Sequence, residues 1–384
     1  MKYRVPSYFD TFRCIGGVCQ DTCCAGWYIA IDEATYKKYK KVKDPVMKKR
    51  LDKELVAKKG PVSSEHVAKI KLKNNRCAFL SSEGLCDLYT HLGEQYLSQT
   101  CQLYPRTFNQ VNDTLECSLA LSCPEAARRI LLNPEGITFK EEERAEKQVV
   151  ISARLTVNPQ KPKGYQDYLL EIRQFLIERL QKREDPFQLR FLKLEAYMRE
   201  LDHLVRIGAL KKIPSFIQER TFNERQNKTI VSEASYDERA YVILLDALKS
   251  MRNGKKWPSP SYEAFYEEML QGLDKEGGFN KQQFEKGCQI YEETFLNSYS
   301  YILENYFVNY IYERAVPLDG ETLLQSLAYL KTYKQLIELH LIGLVLHHES
   351  LTKEKVVNFL QAFTKVFDHN ELYRKQLIKA IENK

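Results

Sequence analysis

Cysteine is almost missing from the last two-thirds of this chain: beyond Cys123 the 384-residue sequence carries Cys288 alone. A disulfide framework for that part is thereby excluded. Glycine is scarce, with 16 residues, which suits a helix-rich chain. Long apolar runs are missing as well. The longest, Leu341 to Leu346, falls far short of a membrane span. The opening residues, Met1-Lys2-Tyr3-Arg4-Val5-Pro6, run straight into folded-looking sequence without the apolar stretch of a secretion signal, so the expected location is cytoplasmic. No P-loop, nucleophile elbow, catalytic triad or G-x-G-x-x-G turn occurs, which sets aside the enzyme classes those patterns serve. There is no internal repeat.

Acidic charge is thin in one place only. Between Lys37 and Lys59 there are 11 Lys or Arg against 3 Asp or Glu, which accounts for the whole net charge of +7 and leaves the rest of the chain near neutrality. The segment reads either as a solvated lysine-rich helix and loop, or as a contact for nucleic acid, an acidic protein or a membrane surface.

What is present in excess is cysteine near the N-terminus: nine of the ten fall between Cys14 and Cys123. They run Cys14-x4-Cys19-x3-Cys23-Cys24, Cys77-x8-Cys86, Cys101, Cys117 and Cys123. In a reducing compartment clustered cysteines bind metal or do redox work more often than they pair. A thiolate is a soft, charged ligand suited to zinc or iron–sulfur iron. No Cys-x2-Cys occurs, and Cys19-x3-Cys23-Cys24 departs from the radical-type Cys-x3-Cys-x2-Cys loop at its third cysteine. Spacing thus points to a metal and leaves open which one. Side chains as close in sequence as Cys23 and Cys24 are expected to point apart.

The expected architecture is mainly α, with an irregular cysteine-rich metal-binding domain over residues 1–130, a charged connection over 131–164 broken by Asn158-Pro159, and a multi-helix domain over 165–384. Helical spacing runs from Tyr168 to Leu180 and ends by Asp185-Pro186; a second helix covers Leu189 to Ile207 and stops at Gly208. Ser235-x-x-Glu238 is a capping-box pattern ahead of a helix ending near Gly254. Later helices span roughly Lys281 to Arg314 and Glu321 to His348, and a last one approaches the C-terminus. Cys288 reads as a core cysteine and His340 as a hydrogen-bonded core residue, while His91 is a possible substitute ligand between Cys86 and Cys101.

Longer patterns link these cysteines. Ser7-Tyr8-Phe9-Asp10 and Phe12-Arg13-Cys14-Ile15-Gly16-Gly17 lead into Asp21-Thr22-Cys23-Cys24-Ala25-Gly26-Trp27. Then come Arg76-Cys77-Ala78-Phe79-Leu80, Gly84-Leu85-Cys86-Asp87-Leu88-Tyr89, and Leu97-Ser98-Gln99-Thr100-Cys101-Gln102-Leu103-Tyr104-Pro105-Arg106. The chain resembles the flagellin lysine-N-methylase family, whose head is similar to that of a wider group of zinc- or iron-chelating proteins. Glu304-Asn305-Tyr306-Phe307-Val308-Asn309-Tyr310 and the stretch from Leu336 to Leu346 resemble the family's C-terminal portion.

The resemblance implies transfer of methyl from S-adenosylmethionine to lysines of flagellin or another protein, helped by an iron–sulfur cluster, expected as 4Fe-4S with zinc as the alternative. Carried over residue by residue, the metal ligands lie among Cys14, Cys19, Cys23, Cys24, Cys77, Cys86 and Cys101, with Cys117 and Cys123 as further candidates. Arg106 is a candidate for the cofactor carboxylate, since a guanidinium binds carboxylates bidentately. Glu304, Asn305 and Asn309 interrupt an aromatic helix and are candidate catalytic residues, or else caps for neighbouring helices. Six tyrosines between Tyr291 and Tyr312 could cradle a lysine ammonium or pack a core. The contrasting reading is a zinc-stabilised, non-enzymatic module that binds nucleic acid or protein through residues 37–59.

Overall fold

The computed structural model describes residues 1–25, 29–58, 64, 66–74, 76–145, 149–223, 236–274, 279–368 and 370–382. Trp27, Lys59, Lys147 and the capping-box residue Ser235 therefore lie outside the described residues. The chain is mainly helical, as expected, but it is built around a five-stranded sheet that the sequence reading did not anticipate.

The sheet runs, edge to edge, Ala153–Leu155, Arg106–Val111, Thr114–Leu119, Lys2–Pro6 and Phe139–Glu143. The N-terminal strand lies parallel to Thr114–Leu119, with Tyr3 opposite Leu115, and antiparallel to Phe139–Glu143, with Lys2 opposite Glu143 and Arg4 opposite Glu141. Arg106–Val111 and Thr114–Leu119 form a hairpin whose turn places Asn112 at φ 49°, a conformation Asn tolerates. The charged stretch expected as a connection is thus an edge strand. Glu141 and Glu143 stand opposite the basic residues of the N-terminal strand, and charge on an edge blocks further pairing.

The helical body contains the helices expected from sequence and adds Ile213–Asn223 and Pro260–Leu273, which were not expected, while the single terminal helix expected is two. Helices occupy Leu169–Leu180, Phe187–Arg206, Glu238–Arg252, Pro260–Leu273, Lys281–Tyr291, Tyr301–Glu313, Leu323–His348, Lys353–Phe367 and Glu371–Glu382. Gly208 (φ 71°) and Gly254 (φ 70°) follow two of these ends in left-handed conformation. The expected single helix from Lys281 to Arg314 is interrupted by a π-helical stretch, Glu292–Leu296, and a junction at Ser300. Leu323–His348 is buried on nearly every side from Leu336 to Val345, which its apolar sequence requires. It crosses Pro260–Leu273 at Gly272 and Gly343, where a Cβ on Gly272 would stand 1.9 Å from the Gly343 carbonyl oxygen. Among the described residues no helix is long and apolar enough to cross a membrane.

A domain boundary near residue 130 stays an expectation. The packing itself shows one large apolar cluster that joins the sheet to the helices, and a smaller one formed within residues 29–88. That smaller cluster contains Cys77 and is flanked by Cys24, Cys86 and Cys101.

Candidate functional site

Asp32 and Asp44 cap the two short helices of the lysine-rich segment, Glu33–Lys40 and Pro45–Glu54, each accepting a backbone N–H. Several of its cations are answered locally: Lys37 by Glu33, Lys40 and Lys48 by Asp52, and Arg50 by Asp87. This favours the solvated-helix reading over a dedicated polyanion contact.

Those helices back a group of thiols gathered from three separate segments. Cys23 and Cys24 sit in a turn that brings their sulfurs to 4.0 Å of each other, so the expectation that neighbouring side chains diverge does not hold here. Cys24 is hydrogen-bonded to Cys77, and its carbonyl accepts the Cys77 N–H at 2.7 Å. Cys86 stands at the N-cap of the Asp87–Leu92 helix and Cys101 in the first turn of Gln99–Leu103; both are within electrostatic reach of Cys23.

Charge is unwelcome on these sulfurs. The Cys24 thiol is eased by its bond to Cys23, but the bond to Cys77 and burial outweigh this and push it up to about 12. Burial carries Cys101 to about 12 as well, and raises Cys86 and Cys19. Backbone N–H groups at the Asp87–Leu92 helix N-terminus oppose this at Cys86. Thiols crowded in this way stay protonated until a cation replaces the protons.

The remaining candidates divide. Cys14 and Cys19 lie on the adjoining loop, and Cys19 interacts with Cys23 and Cys14. Cys123 caps the Pro124–Leu131 helix within reach of Cys19 and Cys23, and burial pushes it up to about 12. Cys117 is elsewhere, buried in the sheet near Asp10, Glu116 and Arg144. Cys288 is buried in the helical body, and none of the ten cysteines is in a disulfide. His91 lies on the Asp87–Leu92 helix. His340 is buried, hydrogen-bonded through Nδ1 to the Leu336 carbonyl and through Nε2 to the Tyr262 hydroxyl, and burial pushes its pKa down to about 4.

In donor chemistry, five gathered sulfurs suit a soft cation. In geometry they are not closed around one: among the described residues no group of three or more His, Cys, Asp or Glu side chains stands in a metal-holding arrangement.

The loop is fastened by a contact the sequence reading missed. Lys365, on the Lys353–Phe367 helix, reaches both Asp21 carboxylate oxygens at 2.9 Å and the Thr22 carbonyl at 2.9 Å. Gln361, one turn earlier, donates to Asp21 and to the Ser122 carbonyl at 2.6 Å. A single acid beside a cysteine run, answered by a Lys more than 340 residues later, leaves no local signal.

Arg106 begins the strand after the Tyr104–Pro105 cis bond. Its guanidinium lies 5.0 Å from the Phe12 ring centre, near Arg13, Cys14 and Cys123, and has no carboxylate partner among the described residues. Burial lowers its pKa, which is the response of a desolvated cation lacking an anion.

The three candidates on Tyr301–Glu313 join the helix to its surroundings. Glu304, 1% exposed, is held by Arg183 at 2.8 Å and Arg190 at 2.6 Å. Asn305 donates to the Asn133 carbonyl at 2.8 Å, just beyond the end of the Pro124–Leu131 helix. Asn309 accepts from the Tyr8 hydroxyl and donates to the Leu119 carbonyl at 3.4 Å. These contacts join the helix to the sheet and its neighbours, and the Asn305 Oδ1 is buried without a hydrogen-bond partner among the described residues.

The comparisons with known proteins bear on this assembly. Residues 173–384 match the family model described as the FliB lysine N-methylase C-terminal domain. The chain belongs to this family. It is 33% identical over 138 residues to proteins named lysine-N-methylase from Salmonella typhimurium (strain LT2) and Salmonella choleraesuis (strain SC-B67), covering 35% of this chain and 34% of each of them. The match to a Salmonella muenchen protein named flagellar biosynthetic protein FliU has the same identity and length and covers 80% of that protein. The matched stretch thus spans about a third of the length of the two lysine-N-methylases. No solved structure matches. The family region includes Gln361 and Lys365, so the helix that fastens the cysteine loop is part of it.

Proposed function

We propose that this protein is a cytoplasmic, S-adenosylmethionine-dependent methyltransferase acting on lysine side chains of flagellin, with an iron–sulfur cluster held by thiolates of the N-terminal loop region. The observation that carries this reading is membership of the lysine N-methylase family over residues 173–384. The thiol group fastened to that same region supports the cofactor part of it.

Three of Cys23, Cys24, Cys77, Cys86 and Cys101 would hold a four-iron cluster, with Cys14, Cys19 and Cys123 as further candidates. A cluster with one open iron would supply a Lewis-acidic site for the methyl donor. Everything else falls to the chain. Arg106, half-buried without an anion, would take the donor's carboxylate through a bidentate contact. The acceptor amine must lose its proton before it attacks, against an ordinary lysine pKa of about 10.4, so an apolar, water-poor setting for that lysine is required. The methyl–sulfur bond then breaks as the nitrogen–methyl bond forms, and S-adenosylhomocysteine leaves.

The test is methyl transfer from labelled S-adenosylmethionine to flagellin, read by peptide mass spectrometry, with anaerobically purified protein of measured iron, sulfide and zinc content. Lysine masses raised by methyl increments in protein carrying matched iron and sulfide are expected. Colourless protein with stoichiometric zinc would sink the cluster, and iron-loaded protein that leaves flagellin unmodified would sink the substrate.

A further inference from the structure

The Leu323–His348 helix buries one carboxylate for which the proposed chemistry has no use. Glu338 is fully buried, among leucines and isoleucines of the same helix. Two neutral donors orient it: Gln188 Nε2 at 2.7 Å and the Tyr241 hydroxyl at 2.8 Å. Neutral donors fix a carboxylate without neutralising it. Among the described residues its one cation is Lys334, a turn earlier on the same helix, with Nζ at 2.7 and 2.8 Å from the two oxygens.

Lys334 also lines a cleft. Gln188, Phe191, Tyr236, Tyr241 and Lys334 line it, and its volume is about 80 Å³. Since roughly 10–15 Å³ on this measure admits one water, the cleft has room for several heavy atoms, the size of a lysine side-chain end. Lys334 Nζ lies 5.5 Å from the Phe191 ring centre, and the Tyr236 and Tyr241 rings complete an aromatic wall. The Tyr291 hydroxyl, buried and without a hydrogen-bond partner among the described residues, is within electrostatic reach of Glu338. Glu195 and Asp237 add two further carboxylates at the lining against one further ammonium, Lys331, which pairs with Glu195 at 3.4 Å.

Aromatic faces above an oriented, buried carboxylate are the chemistry that recognises an alkylammonium ion. We infer that this cleft binds a lysine side chain of the protein substrate in its ammonium form, with Lys334 as the internal occupant that it displaces. The identity of the ligand as a substrate lysine rests on the methylase reading; the preference for an alkylammonium rests on the cleft alone. Being outside the thiol group, the slot grips one lysine while another is presented for transfer.

The experiment measures binding of Nα-acetyl-lysine N-methylamide, and of its neutral Nε-acetyl counterpart, to the full chain by ligand-observed NMR. Lys334→Met removes the competing ammonium and retains most of the stem's packing, so binding of the charged probe should tighten about tenfold. Glu338→Gln should abolish it, and the Nε-acetyl probe should not bind either protein. Phe191→Leu, which leaves the Lys334–Glu338 pair intact, should weaken binding roughly two- to fivefold and keeps the proposal testable if Lys334→Met fails to fold. Folded Lys334→Met that binds the charged probe no better than Glu338→Gln overturns the slot, as does equal binding of the neutral probe. Methyl transfer that proceeds in a protein unable to bind the probe removes the slot and leaves the methylase reading standing. Probe binding without any methyl transfer does the reverse.

Discussion

The helical body and the thiol-bearing region solve the same problem by different means. In the sheet and body, buried carboxylates placed among apolar side chains arrive with cationic partners: Glu116 with Arg173 at 2.7 Å, and Glu304 with Arg183 and Arg190. In the thiol region several sulfurs have other sulfurs as near company, beside partnered groups such as Asp32 and Glu54, and its elements are strands of two or three residues and short helices. The body answers these buried charges from within the chain, while the Trp257 Nε1, the Tyr291 hydroxyl and the Asn305 Oδ1 have no hydrogen-bond partner among the described residues. In the thiol region the sulfurs crowd one another, and a small apolar cluster alone gives modest stability.

Breaking the body's self-sufficiency should have the largest effect. Arg173→Leu leaves Glu116 charged and buried, and should cost on the order of 3–5 kcal/mol in urea unfolding, with much of it recovered by adding Glu116→Leu. Gly272→Ala should cost about 1–3 kcal/mol, because the new methyl cannot coexist with the Gly343 carbonyl unless two packed helices separate.

The comparison can be sharpened by pH. Burial raises Glu313 to about 7, with Asp368 adding to it and Arg314, Thr107 and Asn309 opposing. Its folded pKa lies above its unfolded one, so the folded state holds the extra proton and stability falls as pH rises from about 4.5 to 7. His340, lowered to about 4 by burial, works in the opposite sense: stability falls as pH drops through the interval between 6.5 and about 4. In Glu313→Gln the first slope should vanish, by up to about 3 kcal/mol over its window, leaving the His340 slope exposed in unfolding measured at a series of pH values.

The smallest effect on stability should be the most telling about the thiols. Lys365→Ala releases Asp21 and Thr22, and should shift Tm by no more than a few degrees while raising the rate of Cys19 and Cys23 modification by a thiol reagent about tenfold, as expected for a locally opened loop. Unchanged thiol rates would mean the loop is held by its own turns, and the contrast between the two regions would weaken.

Much of this was open to inspection in the order of residues. Several helices of the body, among them Leu169–Leu180, Phe187–Arg206 and Leu323–His348, follow from 3.6-residue apolar periodicity and from Gly208, because those signals are local, whereas Ile213–Asn223 and Pro260–Leu273 were not read from it. The crowding of nine cysteines near the N-terminus, and the patterns linking them, marked the region and the family. Strand pairing was hidden, since Lys2–Pro6 finds its partners more than 100 residues away and Phe139–Glu143 is charged at every position after Phe139, where a half-buried strand would alternate apolar residues. The roles of Glu304, Asn305 and Asn309 were hidden for the same reason: a polar side chain in an aromatic helix declares that it has a partner without saying which.

Sequence by itself determined the helical body, the donor chemistry of the thiol region and the family, all of which depend on residue type and spacing along the chain. Only the tertiary structure decided that Cys23 and Cys24 face the same way, that Lys365 fastens their loop, and that Glu338 lies buried beneath an aromatic cleft. Each of these depends on distances between segments far apart in the chain, fixed when the apolar faces of sheet and helices pack together and carry their polar residues into contact.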